Sequence, residues 1–194
     1  DGQLGKLTET MQDLFALAKP VELESDRVDL REAVDEALGQ LAGLMDTSAY
    51  TIERSYDPEL PPIGGDRHRL EQAALNVMLN ALESMEDGGT LGIRLSHVGE
   101  RVVAEFTDTG PGIPEDQVEK VIRPFYSTKP AGTGLGLPLV ARVVAAHAGE
   151  LKIQGESGEG TTVRMVFPAR APAAARAGER PTMVEPMEED TDGE

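Results

Sequence analysis

Two asparagines, Asn76 and Asn80, stand four residues apart in the stretch Arg67 to Glu83, and Glu83 follows three residues later. At those spacings all three fall near one face of a helix. A carboxamide oxygen suits a hard cation such as Mg²⁺, which favours oxygen ligands and keeps waters beside phosphate oxygens. On this helix alone, two exposed asparagines with no task would read the same way. A second candidate is Asp108-Thr109-Gly110-Pro111-Gly112-Ile113, directly after a predicted strand. A carboxylate at a strand end can accept a hydrogen bond from an exocyclic amine such as adenine carries. Glycines around a proline keep Cβ atoms away from anything bound nearby. A plain turn with Asp as its former is the alternative. The third is Gly132-Thr133-Gly134-Leu135-Gly136-Leu137, running into a helix. Alternating glycines bare backbone N–H groups, and a helix N-terminus adds positive potential, a combination that cradles phosphates. It is neither the dinucleotide nor the P-loop pattern, because no buried parallel strand precedes it and no Gly-Lys-Ser/Thr follows.

These residues need elements to hold them. Asp66 is a good N-cap for a helix ending near Met85, with Leu70, Ala74, Val77, Met78 and Ala81 turned inward. Asp29 caps an earlier helix whose apolar face is Leu30, Val34, Ala37, Leu38 and Leu41. A strand is predicted at Tyr50 to Tyr56, then a Pro/Gly loop from Pro58 to Gly65. Strands Thr90 to His97 and Arg101 to Thr107 pair across a short turn. A glycine-rich stretch with a small helix fills Asp108 to Gly136, and a helix runs from Leu137 to Ala148. Strands Glu150 to Gln154 and Thr161 to Phe167 close the domain. The expected fold is α+β, a two-layer sandwich of a mixed, mostly antiparallel sheet and a layer of helices.

At the amino end, Leu4, Leu7, Met11, Leu14 and Ala18 are spaced 3, 4, 3 and 4. That is the seam of a coiled coil or bundle, or equally of a short helix packing on its own domain. Pro20 ends it, and Val21 to Val28 reads as a linker. Beyond Pro168 the composition turns to Ala, Pro, Arg, Gly and Glu, which cannot bury a core and predicts disorder. Six of the last ten residues are acidic, and none is basic. Three segments are therefore expected: 1–27, 28–168 and an acidic tail at 169–194.

Composition sets further bounds. Hydrophobic residues form 39% of the 194, but aromatics only 4%, so aliphatic side chains must fill the core. There is no cysteine, which removes disulfide and thiolate chemistry and fits a reducing, cytoplasmic setting. No apolar run is long enough to span a bilayer, although a membrane anchor elsewhere in a parent protein stays open. The net charge of −17 argues against nonspecific binding to nucleic acid or anionic lipid.

In their order along the chain these stretches resemble the nucleotide-binding boxes of the superfamily that joins gyrase, heat-shock chaperones, histidine kinases and mismatch-repair ATPases. Leu75 to Ala81 is similar to the asparagine box, Asp108 to Ile113 to the first glycine box and Gly132 to Leu137 to the second. Arg123-Pro124-Phe125-Tyr126-Ser127-Thr128-Lys129 resembles the phenylalanine box of histidine kinases. Gly158-Glu159-Gly160-Thr161-Thr162 resembles the last glycine box. Residues 1–27 resemble the end of a second dimerisation helix and its linker, in a sensor histidine kinase of a two-component system.

The resemblance implies ATP as ligand and Mg²⁺ as cofactor. It implies that Asn80 coordinates the metal and that Asn76 contacts phosphate or metal. Asp108 would bind the adenine amine, with Thr161 or Thr162 helping through water, in a pocket shaped by Gly110, Gly112 and Ile113. Gly132, Thr133, Gly134, Leu135, Gly136 and Leu137 would form a lid over the triphosphate, Lys129 would supply positive charge, and Phe125 would anchor the lid. Asn76 stands where ATP-hydrolysing relatives carry a water-activating glutamate. An amide cannot act as a base, so a kinase is favoured over an ATPase, with Asn76 and Lys129 as its catalytic residues. The expected acceptor is a histidine on a dimerisation hairpin outside this chain, with a response regulator downstream and a homodimeric parent. His68, His97 and His147 are expected to be structural or surface residues. Three features depart from the family pattern. Arg123 follows Ile122 where Phe-Glu is usual, Ala148 replaces a common second glycine, and Glu83 sits where many members have a basic residue. A serine kinase of the anti-sigma type and a nucleotide-gated binding module are the competing readings.

Overall fold

A computed structural model describes residues 26–127, 129 and 132–170. The expected amino-terminal helix and most of the acidic tail, 171–194, lie outside the described residues. In chain order the elements are β1 (Asp26–Val28), α1 (Leu30–Leu44), β2 (Tyr50–Tyr56), β3 (Ile63–Gly65), α2 (Arg67–Ser84), β4 (Gly89–Val98), β5 (Arg101–Asp108), α3 (Glu115–Val121), α4 (Gly136–Ala146), β6 (Glu150–Glu156) and β7 (Gly160–Pro168).

Both predicted caps form. Asp29 accepts the N–H of Arg31 at 3.0 Å, and Asp66 accepts that of Arg69 at 3.1 Å, each satisfying a donor the first turn leaves over. The five-stranded sheet runs β2-β4-β5-β7-β6, with β2 parallel to β4 and every other pair antiparallel. Alternate residues of the central strands point to one side. Leu91, Ile93 and Leu95 of β4, Val102, Ala104 and Phe106 of β5, and Val163, Met165 and Phe167 of β7 are buried there against the helices. Helix α2 lies between α1 and α4 and contributes Leu70, Ala73, Ala74, Val77, Met78 and Ala81 to this core. The α+β sandwich expected from the sequence is present, with α1, α2 and α4 on one face of the sheet. On the other face Arg164 pairs with Glu105 and reaches Gln154 at 2.7 Å.

One piece of structure falls where a linker and a loop were expected. β1 and β3 form a separate antiparallel pair, Asp26–Gly65 to Val28–Ile63, with Val28 and Ile63 both buried. Three-residue strands show no readable alternation, and two of the three residues in β3 are glycine, a poor strand former.

Helix α4 ends at Ala146, two residues before the expected end, because Ala148 takes a left-handed φ of 52° and turns the chain. The N–H of Gly149 then bonds to Val144 O at 2.9 Å, closing the helix end. A Cβ in that conformation costs about 1 kcal/mol, which glycine avoids. Ala148→Gly should therefore raise stability by about 0.5–1 kcal/mol. A melting temperature about 2–4 °C higher would show it, and an unchanged or lower one would mean the backbone strain is relieved elsewhere. Among the described residues no helix is long and apolar enough to cross a membrane.

Candidate nucleotide site

β5 delivers Asp108 to the end of the sheet, where β7 starts. Its side chain sits in a residue only 6% exposed, and its Oδ1 accepts two backbone N–H bonds, from Gly110 at 2.9 Å and Thr161 at 3.1 Å. Burial pushes its pKa above the ordinary carboxylate value, against the opposing pull of those two N–H groups and of Lys129. A buried carboxylate with one oxygen so occupied is held in a fixed orientation, and its second oxygen is the group available to accept from a ligand amine.

The turn after Asp108 cannot be built from other residues. Gly112 has φ 74°, and a Cβ there would lie 1.9 Å from Glu156 O of β6. A Cβ on Gly110 would come within 2.7 Å of Ser84 Oγ at the end of α2. Ile113 packs its backbone on Gly155, where an added Cβ would meet its nitrogen at 2.7 Å. The first glycine turn is thus wedged between α2 and β6 while Asp108 faces its open side.

One turn apart on α2, Asn76 and Asn80 face the start of α4. Asn76 Nδ2 donates to Gln72 O at 2.9 Å, which fixes its amide plane. A Cβ on Gly136 would stand 3.3 Å from Asn76 Oδ1 and 3.2 Å from Asn80 Nδ2, so glycine leaves the room between them. No side chain caps α4, and Pro138 in its first turn has no N–H of its own. The backbone N–H groups of Gly136 and Leu137 begin that uncapped helix beside the asparagine pair. Amide oxygens at this spacing fit a hard cation that already carries phosphate oxygens and takes few ligands from the protein.

Lys129 stands over the same helix. Its Nζ pairs with Glu83 Oε2 at 2.8 Å and donates to Asn80 O at 3.4 Å. Ser127 Oγ accepts the Lys129 N–H at 3.1 Å, and Gly132 N donates to Lys129 O at 3.1 Å. Ser127 had no sequence signal as a site residue; its part is to shape this turn. Thr133 and Gly132 are exposed, and Leu135 is fully buried.

The structure separates the two threonines. Adjacent strand residues point to opposite faces. Thr161 lies buried beside Asp108, whereas Thr162 faces the solvent side, its hydroxyl 3.1 Å from that of Thr107. Of the two, only Thr161 lies on the face that carries Asp108. Thr161 meets Asp108 through its backbone N–H, a contact the side chain did not announce. Phe125 departs from expectation as well. The residue is 66% exposed, its φ is 66°, and its N–H is tied to Gly134 O at 3.0 Å.

The histidines lie outside this group. His147 is buried at the end of α4, where Nδ1 lies 2.7 Å from Val143 O and Nε2 accepts the Asp66 N–H at 3.0 Å. It joins the helix that follows the second glycine stretch to the cap of the helix that carries the asparagines. His97 pairs with Asp57 at 2.9 Å, and His68 is exposed beside Glu71.

A carboxylate beside one glycine turn and two carboxamides beside the next, with described helices against a mixed sheet, are the frame of an ATP-binding domain. Residues 65–171 match the family profile described as histidine kinase-, DNA gyrase B-, and HSP90-like ATPase. Sporulation kinase C of Bacillus subtilis (strain 168) is 33% identical over 174 residues, which cover 87% of this chain and 40% of that protein. The solved structure of the mycobacterial sensor histidine kinase MprB superposes with a TM-score of 0.67 at 31% identity, covering 75% of this chain and 98% of that one. Full-length ShkA in complex with AMPPNP superposes at 0.76 with 28% identity, covering 86% of this chain and 37% of that one. The chain belongs to this ATPase family, in its histidine kinase branch, and carries the catalytic ATP-binding domain. It spans about two fifths of the length of the sporulation kinase it matches.

Proposed function

We propose that residues 28–168 bind Mg-ATP and transfer its γ-phosphoryl group to a histidine on a dimerisation hairpin, for relay to a response-regulator aspartate. The observation that carries this reading is the amide of Asn76, held by Gln72 O and facing Asn80 across Gly136. A site with amides in place of a general base can position phosphate and neutralise charge, and it cannot activate water. Such a site favours transfer to a nucleophile that needs no base, as a neutral imidazole nitrogen does not.

In this reading Asp108 accepts the adenine amine with the oxygen that Gly110 and Thr161 leave open. Asn80, with Asn76 beside it, would hold the metal, and Lys129 lends charge to the phosphates. The uncapped start of α4 offers its N–H groups to phosphate oxygens. When bound, Mg²⁺ supplies charge neutralisation across those oxygens. The parent protein is proposed to act as a homodimer, in the cytoplasm.

The test mixes the chain, γ-labelled ATP and Mg²⁺ with a separate polypeptide of the parent's histidine-bearing hairpin. Acid-labile, alkali-stable label on the hairpin is the expected result. ATP binding without any label would move the reading to a nucleotide-gated binding module.

A further inference from the structure

A cation that reaches the turn of Asn80 is already partnered. Lys129 Nζ lies 2.8 Å from Glu83 Oε2, and both side chains remain partly open to solvent, at 34% and 52%. Glu83 shares the face of α2 with Asn76 and Asn80, and the Lys129 ammonium also reaches the backbone oxygen of Asn80 at 3.4 Å. The turn that bears Lys129 is set independently of this pair. Ser127 holds the Lys129 N–H, Gly132 bonds to its carbonyl, and a Cβ on Gly132 would press to 3.3 Å on the Lys129 Cβ. Backbone and ion pair therefore agree on one position, with the ammonium above the turn that carries Asn80.

We propose that Glu83 is a positioning residue: its carboxylate is a placeholder anion that parks Lys129 on the asparagine helix, and the phosphates of a nucleotide must displace it to recruit that cation. This rests on the ATP reading above. A partly exposed pair is weak, which suits a contact made to be exchanged. A triphosphate carries more charge than one carboxylate and wins the competition, but its affinity is lowered by the cost of breaking the pair. Glu83 acts on binding only through Lys129, so its effect must vanish when Lys129 or the phosphates are absent.

The experiment is a double-mutant cycle by calorimetry on the full chain, with Mg-ATP and with adenosine as separate probes. Glu83→Gln should tighten Mg-ATP about two- to fivefold, the range an exposed pair commands. Adenosine affinity should not move. Lys129→Gln should weaken Mg-ATP, and adding Glu83→Gln to it should then change nothing. Glu83→Asp, which keeps the charge on a shorter arm, should fall between the parent chain and Glu83→Gln. Equal tightening by Glu83→Gln with or without Lys129 would mean direct repulsion of the phosphates and would overturn the proposal. So would weaker Mg-ATP binding in Glu83→Gln, or no change. Failure of the unaltered chain to bind Mg-ATP sinks the proposed function and this inference together, whereas normal binding with no effect at Glu83 sinks the inference alone. Circular dichroism melts of each variant keep a folding defect from passing as either outcome.

Discussion

Asp108→Asn is expected to weaken ATP binding about 30- to 100-fold, the worth of a hydrogen bond to a charged, buried acceptor. The reason lies in the two bonds Oδ1 already accepts, from Gly110 and Thr161. Asparagine has one oxygen where the carboxylate has two. If that oxygen stays with the two N–H groups, the NH₂ turns toward the adenine amine, donor against donor. If the amide flips, the NH₂ faces the two backbone donors instead. Neither orientation satisfies both sides, so the mismatch survives any local repacking. Calorimetry with ATP reads the effect directly, and unchanged affinity would remove Asp108 from the adenine contact.

The variant should not lose its fold. Burial raises the Asp108 pKa above the ordinary carboxylate value, so the ionised group is less favourable in the folded chain than in the unfolded one. That penalty is in force at neutral pH and is relieved only as pH falls through the raised pKa. An uncharged asparagine escapes it, and the melting temperature at neutral pH should be equal or higher. The same reasoning gives the pH dependence. Protonation puts a hydroxyl on the free oxygen and reproduces the donor clash. ATP affinity of the unaltered chain should therefore fall as pH drops through the Asp108 pKa, and Asp108→Asn should lack that step.

Much of this arrangement was legible in the sequence because it is local. Asp29 and Asp66 announce their helices through caps that involve residues two and three positions away. The apolar spacing of α2 turns Leu70, Ala74, Val77 and Met78 inward and thereby fixes which side Asn76 and Asn80 can face. What stayed hidden depends on partners distant in the chain. Thr161 and Thr162 are interchangeable until the register of β7 against β5 puts Thr162 opposite Thr107 on the outer face. β1 and β3 are invisible because each is three residues long and is ordered by distant partners, each by the other and β3 also by a bridge from Ile63 to Ala169. Phe125 reads as an anchor by its type, yet its backbone N–H makes the tie to Gly134 and the residue is largely exposed. The charge of Glu83 was visible, and its pairing with Lys129, 46 residues away in sequence, was not.

Asn80→Ala should separate nucleotide binding from chemistry more sharply than any other single change. The proposed adenine contact, Asp108, is at the end of β5, and Asn80 is on α2 against Gly136, so adenosine affinity should stay as it is. Alanine is the better helix former, and the Lys129 contact in this turn is to the backbone oxygen of residue 80, so neither α2 nor that contact depends on the amide. What disappears, in the proposed reading, is an oxygen donor for the metal at the phosphates. Where the rate comes from positioning and charge neutralisation, losing one preorganised ligand costs about 100- to 1000-fold. Phosphoryl transfer to the hairpin should fall by that order, with the Mg²⁺ dependence of ATP affinity largely lost. The comparison that decides is ATP binding with and without Mg²⁺ in both proteins. If the metal strengthens ATP binding equally in Asn80→Ala and in the unaltered chain, Asn80 is not its ligand, and the asparagine pair serves the shape of the cleft rather than its charge.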